Sequence, residues 1–247
     1  MDPIAEFGLY VRDAIGWNSV LHDGFDRTQF LRGIWTTVRL GFACVVLSVV
    51  IGAVGALLQG ASSRLARGVA QGYVQFLRNT PPLVQLYFFD FGVGPLMPEI
   101  TNEWGVRQPI PGSFGWAVIS LSLFAGAYNV EIFRSGIEAV PRSMVESAEA
   151  LGYTRLQIFR SVVLPLGFRI CLPALNNNLV KLVKTTSQAF AIAVPEILYV
   201  AVRIYTDRLN VWEMMVVMLL TYVSIVAFLV WAMGRWERSL RIPGYSV

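Results

Sequence analysis

Two long uncharged apolar runs constrain the fold of this chain more than any other feature. Leu40–Leu58 and Met214–Gly234 contain no Asp, Glu, Lys or Arg. Each run is long enough to cross about 30 Å of hydrocarbon as an α-helix. Phe114–Val130 is a third, shorter uncharged run. We interpret all three as transmembrane helices rather than as buried helices of a soluble domain.

The overall composition supports this interpretation. Only 15% of the 247 residues are charged and 55% are hydrophobic, whereas a soluble domain carries about 25% charged residues. This composition excludes an ordinary soluble enzyme, and it excludes a disordered chain, which needs low hydrophobicity and high charge. Long apolar runs separate the basic residues that give the net charge of +4, so we expect no nucleic-acid partner.

The sequence shows no motif for ATP hydrolysis or for metal binding. The phosphate-binding pattern GxxxxGK[ST] does not occur in it, which excludes ATP hydrolysis by that route. Its two cysteines, Cys44 and Cys171, lie in or beside apolar stretches, far apart in the sequence, and they form no metal-ligand cluster. We therefore expect neither a cofactor nor a metal.

Two further segments are apolar but interrupted by polar and charged residues. Residues 69–96 include Arg78 and Asp90, and residues 172–202 include two lysines and Glu196. Charges within a membrane span are costly, so such helices usually face a protein interior or a watery path. With these two segments the sequence predicts an all-α fold, a polytopic membrane helix bundle of about five transmembrane helices.

The distribution of basic residues predicts the orientation of this bundle. Lys and Arg are enriched in the cytoplasmic loops of membrane proteins. With the N-terminus outside, ten basic residues fall on inner segments and six on outer segments. We therefore expect the N-terminus outside and the long loop after the third span in the cytoplasm. The inner segments are 59–68, 131–169 and 235–247, and the outer ones are 1–33, 97–113 and 203–213.

The cytoplasmic loop 138–165 predicts two short amphipathic helices. Pro141 interrupts the preceding helix, and Ser143 with Glu146 has the spacing of a capping box. Gly152 follows the first helix and is the residue type that most easily adopts a left-handed conformation at a helix end. The apolar face of this first helix repeats at i, i+4 and i+7 and consists of Met144, Ala148 and Leu151.

The second helix of the loop has its own start and stop signals. Thr154 and Gln157 form a second capping box, and Pro165 is expected to end the helix. Periodicity alone leaves two alternatives open, a docking element or a hairpin that packs under the bundle. The apolar face of this second helix consists of Leu156, Phe159 and Val163.

The loop resembles the EAA motif of the permeases of binding-protein-dependent ABC importers. That motif follows EAA-x3-G-x9-I-x-LP, and this chain has Glu146-Ser147-Ala148, then Gly152, then Val162-Val163-Leu164-Pro165. Ser147 replaces the first Ala of the motif and Val162 replaces Ile. In this family the loop is the coupling helix that sits in a cleft of the ATP-binding subunit. The resemblance implies the following coupling residues: Glu146, Ser147, Ala148, Leu151, Gly152, Leu156 and Pro165.

Other segments resemble one subfamily, the polar amino acid permeases. They are Arg78-Asn79-Thr80-Pro81-Pro82-Leu83-Val84-Gln85, residues 127–137, Leu172-Pro173-Ala174-Leu175 and Lys184-Thr185-Thr186-Ser187. Together with the loop, they extend the resemblance over residues 30–242. The C-terminal residues 237–245 look like the tail of permeases for acidic or broad polar amino acids.

The resemblance implies a transport subunit and not an enzyme. The partners expected from it are two ABC ATPase subunits, a second permease subunit, an extracytoplasmic substrate-binding protein and membrane lipid, with an amino acid as substrate. The expected location is the bacterial inner membrane. The alternatives are a permease for another small solute and a self-sufficient secondary transporter. The domains expected are an extracytoplasmic segment 1–33, a permease domain 34–235 with the loop 138–165, and a cytoplasmic tail 236–247.

Two residues have alternative roles at this stage. Glu146 either contacts the ATPase or caps its own helix, a role that contributes about 1 kcal/mol. Arg78 precedes a double proline that breaks the helix, and broken helices in membranes usually lie beside a cavity. We expect Arg78 to meet a substrate carboxylate or to pair with Asp90 or Glu131.

A polar stripe in the 172–202 segment completes the candidate path. The stripe consists of four residues that repeat at i, i+4, i+7 and i+11, which aligns them on one helical face: Asn177, Lys181, Lys184 and Gln188. They either line the substrate path or form hydrogen bonds between helices or to the cytoplasmic loop. The full set of candidate path residues is Arg78, Asn79, Thr80, Asn129, Glu131, Asn177, Lys181, Lys184 and Gln188.

Overall fold

The computed structural model describes residues 24–101 and 107–240, and these are almost entirely helical. A short antiparallel hairpin pairs Glu99 with Pro109 and Thr101 with Arg107. In chain order the elements are α1 (Gly24–Gln59), α2 (Arg64–Arg78), α3 (Pro82–Tyr87), a π-helix (Phe88–Val93), a 3-10 helix (Gly94–Leu96), β1 (Glu99–Thr101), β2 (Arg107–Pro109), α4 (Gly112–Glu138), α5 (Arg142–Ala150), α6 (Arg155–Ile158), a π-helix (Phe159–Val163), α7 (Leu164–Thr185), a 3-10 helix (Thr186–Ile192), α8 (Ile197–Arg208) and α9 (Val211–Leu240).

Four helical stretches within the described residues are long and apolar enough to cross a membrane. They are Gly24–Gln59, Gly112–Glu138, Arg155–Ile192 and Val211–Leu240. They contain the three uncharged runs and most of the 172–202 segment, and they confirm the prediction of an all-α, polytopic membrane bundle.

The remaining predicted span, 69–96, is broken into several short helices. Its first helix, α2, ends at Arg78, and α3 begins only at Pro82. Two consecutive prolines remove backbone donors and disfavour helical backbone in the residue before them. The double proline therefore divides this segment, and it does not form one transmembrane helix.

The ends of the spans also differ from the sequence prediction. Helix α1 begins at Gly24, so the last part of the predicted segment 1–33 is already helical. The stretch predicted as 172–202 begins earlier and stops at Ile192, because Ala193 has a left-handed backbone with φ of 58°. Residues 1–23 and 241–247, with parts of the predicted N-terminal segment and tail, lie outside the described residues.

The chain divides into two compact units. The first unit consists of the described residues of 1–43, 86–118 and 183–228. Its core is apolar and contains a buried carboxylate, Glu196, which accepts hydrogen bonds from the backbone of Tyr199 at 2.8 Å and from the Tyr222 hydroxyl at 2.6 Å. Glu196 thereby caps α8. The core residues are Phe30, Ile197, Val200, Ala201, Ile204 and Met214.

The second unit consists of the described residues of 44–85, 119–182 and 229–247. Leu172, Leu175 and Leu179 of α7 form its apolar core. Helices α4 and α7 approach closely where Gly136 meets Gly167. Small residues allow such close backbone approach between transmembrane helices.

Candidate coupling hairpin and substrate path

Helices α5 and α6 form the predicted cytoplasmic hairpin. The predicted capping box at α6 is confirmed. Its backbone amide at Gln157 donates to Thr154 Oγ1 at 3.5 Å, and the amide of Thr154 donates to Gln157 Oε1 at 2.8 Å. The two bonds satisfy donors that a helix start otherwise leaves unpaired. The two bonds set the start of α6 at Arg155, three residues after Gly152.

The other predicted capping box, Ser143 with Glu146, is wrong. Pro141 occupies the N-cap position of α5 and makes no side-chain cap. Ser143 lies inside the first turn, where its carbonyl accepts from the Ser147 hydroxyl at 2.7 Å. A capping side chain must precede the first helical residue, so Glu146 has no capping role, and it is exposed to solvent.

Gly152 makes the sharp turn between α5 and α6. Its φ is +82°, the left-handed region predicted for it. The amide of Gly152 donates to Glu149 O at 2.9 Å, and the amide of Tyr153 donates to Ala148 O at 3.2 Å. No atom lies within 4 Å of a Cβ built on Gly152. Glycine is therefore needed here for its backbone conformation and not for space.

A Gly152→Ala variant is expected to strain this turn without any steric clash. A left-handed conformation costs about 1–2 kcal/mol for a residue with a side chain, so the angle between α5 and α6 is expected to change. Substrate-stimulated ATP hydrolysis by the assembled transporter should fall about tenfold, while expression and membrane insertion are unchanged.

The control for this experiment is Gly68→Ala in α2, another glycine with nothing within 4 Å of an added Cβ. It has an ordinary helical backbone, so stimulation should be unchanged. Normal stimulation in Gly152→Ala would show that the turn does not set the coupling.

The hairpin exposes a pair of leucines at its tip. Leu151 is 77% exposed and Leu156 is 74% exposed, whereas Ala148 and Ile158 are buried. The sequence had placed Ala148 and Leu151 on one face. They separate because α5 ends at Ala150 and Leu151 already lies in the turn. Large exposed apolar side chains that lie together are typical of a protein-interaction surface, which makes Leu151 and Leu156 candidates for one.

Pro165 does not end the second helix, contrary to the prediction. It lies in the first turn of α7, which continues to Thr185. A π-helical turn, Phe159–Val163, precedes it. Proline has no N–H to donate to the preceding turn, yet the helical stretch runs through it from Arg155 to Ile192. The hairpin is thus continuous with the long helix of the third candidate span.

In the second unit, three helices bring two cations onto one aromatic ring. The guanidinium carbon of Arg78 lies 5.1 Å from the centroid of the Tyr128 ring, and Lys181 Nζ lies 4.8 Å from it. Arg78 ends α2, Tyr128 lies in α4 and Lys181 lies in α7. Cations within about 6 Å of a ring centroid are attracted to its face. We call Arg78, Tyr128, Lys181 and Glu131 the cation cluster.

Glu131 is the carboxylate of the cation cluster. Its Oε2 lies 3.9 Å from Arg78 and 2.9 Å from Arg134. Gln59 also donates to Glu131, at 3.2 Å. Of the two acidic partners considered for Arg78, the structure pairs it with Glu131. Arg134 and Gln59 are not among the residues predicted from the sequence, although the i, i+3 spacing of Glu131 and Arg134 is an ion-pair signal.

Other candidate path residues lie at helix contacts or at helix ends. Asn129 is fully buried and accepts from Asn178 at 2.8 Å, a bond between α4 and α7 that the sequence analysis missed. Asn177, Lys181 and Lys184 are exposed. Gln188 lies in a 3-10 helix, whose turn of 3.0 residues does not continue the α-helical spacing of the predicted stripe.

The remaining two candidates shape the break after α2. Asn79 is the C-cap of α2, and Thr80 donates to Phe76 O at 3.0 Å. Gln85, which the sequence analysis did not single out, donates to Leu77 O at 2.9 Å and to Thr80 Oγ1 at 2.6 Å. The bond to Leu77 O satisfies a carbonyl that would otherwise pair with the N–H that Pro81 lacks.

The family of the chain follows from the extent of one sequence match. Residues 48–242 match the family model of the "Binding-protein-dependent transport system inner membrane component". The chain belongs to this family. Its members are permease subunits, which are transport components and not enzymes, so the resemblance inferred from the EAA loop is confirmed. Together with the four apolar helices, the match makes the chain a multi-pass membrane protein.

Named relatives and solved structures agree with this family. The glutamate/aspartate import permease protein GltJ of Escherichia coli is 28% identical over 89% of this chain and 92% of its own. The histidine/lysine/arginine/ornithine transport system permease protein HisQ of Escherichia coli is 34% identical to this chain. The match covers 64% of this chain and 69% of HisQ. A crystal structure of an amino acid ABC transporter with histidines matches with a TM-score of 0.76 and 26% identity, over 90% of this chain and 98% of the other.

Proposed function

We propose that this chain is the transmembrane permease subunit of an ATP-driven importer for polar amino acids in the bacterial inner membrane. It works with two ABC ATPase subunits, a second permease subunit and an extracytoplasmic substrate-binding protein. The names of GltJ and HisQ, both amino acid permeases, support the substrate class. A secondary transporter would not need the exposed leucine pair of an ATPase-docking hairpin.

The observation that carries the proposal is the cation cluster. Every amino acid has an α-carboxylate, and two cations within one membrane domain offer a partner for it. Arg78 is 40% exposed along its side chain, and Lys181 is also exposed, so both can exchange their present partners for a substrate. Lys181 lies within a candidate span, and the cost of a cation there favours such a functional role over a structural one.

The proposal also concerns the side-chain charge of the amino acid that is transported. GltJ is named for acidic and HisQ for basic amino acids, and these share only the α-carboxylate and the α-ammonium. Within that range we propose acidic amino acids among the substrates, because the cation cluster contains two cations from different helices. The resemblance of residues 237–245 to the tail of acidic or broad polar permeases supports the same choice.

The hairpin is proposed as the site where the ATPase docks. Glu146, Ser147, Leu151 and Leu156 are exposed and lie within six residues of Gly152 in the sequence. Because α6 continues into the long helix of α7, a displacement of the hairpin would be transmitted to the span that carries Lys181. Lipid would cover the exposed apolar sides of the spans.

Uptake by the reconstituted complex is expected to need both the ATPase and the binding protein. In that assay the variants Arg78→Ala and Lys181→Ala should each reduce glutamate and aspartate uptake at least tenfold. A charge-assisted hydrogen bond contributes about 1.5–3 kcal/mol, which corresponds to such a reduction. The basal ATPase activity of the complex should be unchanged, because neither residue lies on the hairpin.

The matched control is Arg169→Ala, which removes an exposed cation of α7 outside the cation cluster. It should transport normally, and Lys181→Arg, which keeps the charge, should retain part of the uptake. Substrate movement by the permease alone would contradict the proposed importer. Full uptake by Lys181→Ala and Arg78→Ala would contradict only the role of the cation cluster.

A further inference from the structure

A second candidate site lies wholly within the first unit. It is a cavity of about 580 Å³ between three segments of the chain, residues 90–95, 109–114 and 193–195. None of the candidate path residues lines it. Phe91, one of its wall residues, is 61% exposed, so the cavity is accessible from the surface. The segment 97–113, which leads into it, is predicted to lie outside the membrane.

Prolines form a large part of the wall of this cavity. Four of its residues are prolines, at positions 95, 109, 111 and 195. Proline has a fixed φ and no backbone N–H. Such a wall is preorganised, which reduces the ordering cost of binding.

Asp90 supplies the acceptor in this wall. It is half-buried in the π-helical turn Phe88–Val93, and the Ser113 side chain forms a hydrogen bond with its carboxylate. Single π-helical turns occur frequently at functional sites. The rings of Phe91 and Phe114 line the same cavity. A carboxylate beside aromatic rings is a suitable environment for an ammonium group, which is attracted to both.

Arg39 does not itself line the cavity, but it lies against one of the rings that do. The guanidinium carbon of Arg39 lies 5.6 Å from the centroid of the Phe114 ring. A simple amine would be attracted by Asp90 but repelled by Arg39. A zwitterion, with an ammonium and a carboxylate on one carbon, complements both charges.

We propose that this cavity is an outer binding site for the head group of an α-amino acid, with the ammonium on Asp90 and the carboxylate toward Arg39. The site receives the substrate before it enters the membrane domain, so the inference rests on the proposed function. Asp90 selects for the α-ammonium, which the cations of the cation cluster do not recognise.

Cysteine labelling of the assembled transporter in proteoliposomes tests this site. The near-isosteric variant Ser113→Cys places a thiol beside Asp90, and the native Cys44 and Cys171 are buried. A cationic methanethiosulfonate is expected to react about tenfold faster than an anionic one. Millimolar L-glutamate or L-arginine should slow labelling, whereas 2-hydroxyglutarate, which lacks the ammonium, should not.

Asp90→Asn in this background is expected to abolish both the reagent preference and the protection, and Asp90→Glu, which keeps the charge, should retain the preference. The matched control is Asp207→Asn, which changes an exposed carboxylate outside the cavity and should change neither. Unchanged protection in Asp90→Asn, or equal protection by 2-hydroxyglutarate, would overturn the inference. Normal amino acid uptake without protection of the thiol from labelling would contradict this site alone. Protection of the thiol without any uptake would contradict the proposed importer function.

Discussion

A Gly136→Val variant is expected to lose uptake and to lower the melting temperature of the complex by roughly 6–12 °C. A Cβ at Gly136 would lie 2.6 Å from the carbonyl oxygen of Gly167 and 2.6 Å from Cys171 Cβ. Because one of these atoms is backbone, α4 and α7 must separate. Overpacking of this kind costs about 3 kcal/mol, and 1 kcal/mol corresponds to roughly 2–4 °C in a chain of this size.

The matched control is Gly72→Val in α2, where nothing lies within 4 Å of an added Cβ. This variant introduces the same β-branched side chain into a helix, without a clash, and should melt within a few degrees of the parent complex. Thermal unfolding of the purified complexes, followed by differential scanning fluorimetry, measures both. Equal melting temperatures for the two variants would mean that α4 and α7 do not pack through Gly136.

The double variant Leu151→Asp/Leu156→Asp is expected to abolish binding of the ATPase subunit while the permease remains folded. Both side chains are at least 74% exposed, and surface substitutions usually change stability by less than about 0.5 kcal/mol. At an interface, burial of one leucine contributes about 1.5–3 kcal/mol, and burial of an unpaired carboxylate is unfavourable. Loss of two leucines should therefore weaken ATPase binding at least about 100-fold.

Leu209→Asp is the matched control for this experiment. Leu209 is 86% exposed and lies in the turn between α8 and α9, outside the hairpin. Its backbone is left-handed, with φ of 57°, a conformation that Asp tolerates better than most residues. Co-purification of the ATPase with permease in nanodiscs should be lost only in the double variant. Retention of the ATPase by that variant would contradict docking at the hairpin tip.

The membrane spans were predictable because their signal is local. An uncharged run such as Leu40–Leu58 has to be buried in lipid or protein, and the hydrogen bonds of a helix satisfy its backbone without a partner strand. The Thr154–Gln157 capping box and the left-handed Gly152 were predictable for the same reason. Each depends on side chains and backbone groups within a few residues of one another.

The wrong predictions concern where helices begin and end. The Ser143–Glu146 spacing fits a capping box, but Pro141 starts the helix before Ser143. Proline often ends a helix, but Pro165 follows a π-helical turn and the helix continues beyond it. In both cases the helix has an end other than the one that the local sequence pattern predicts. The pattern identifies the right residue types but not the residue at which the helix starts or stops.

The sequence by itself determined the helical membrane architecture, the hairpin of two short helices and the residue types that carry charge in the membrane domain. Only the tertiary structure decided which of those charges meet. The cation cluster joins residues 78, 128, 131 and 181 from three helices, and the Asp90 cavity joins three distant segments. Helical periodicity specifies the face of one helix on which a side chain lies. It does not specify the neighbouring helix that this face contacts, because packing of small residues such as Gly136 and Gly167 sets the helix crossings.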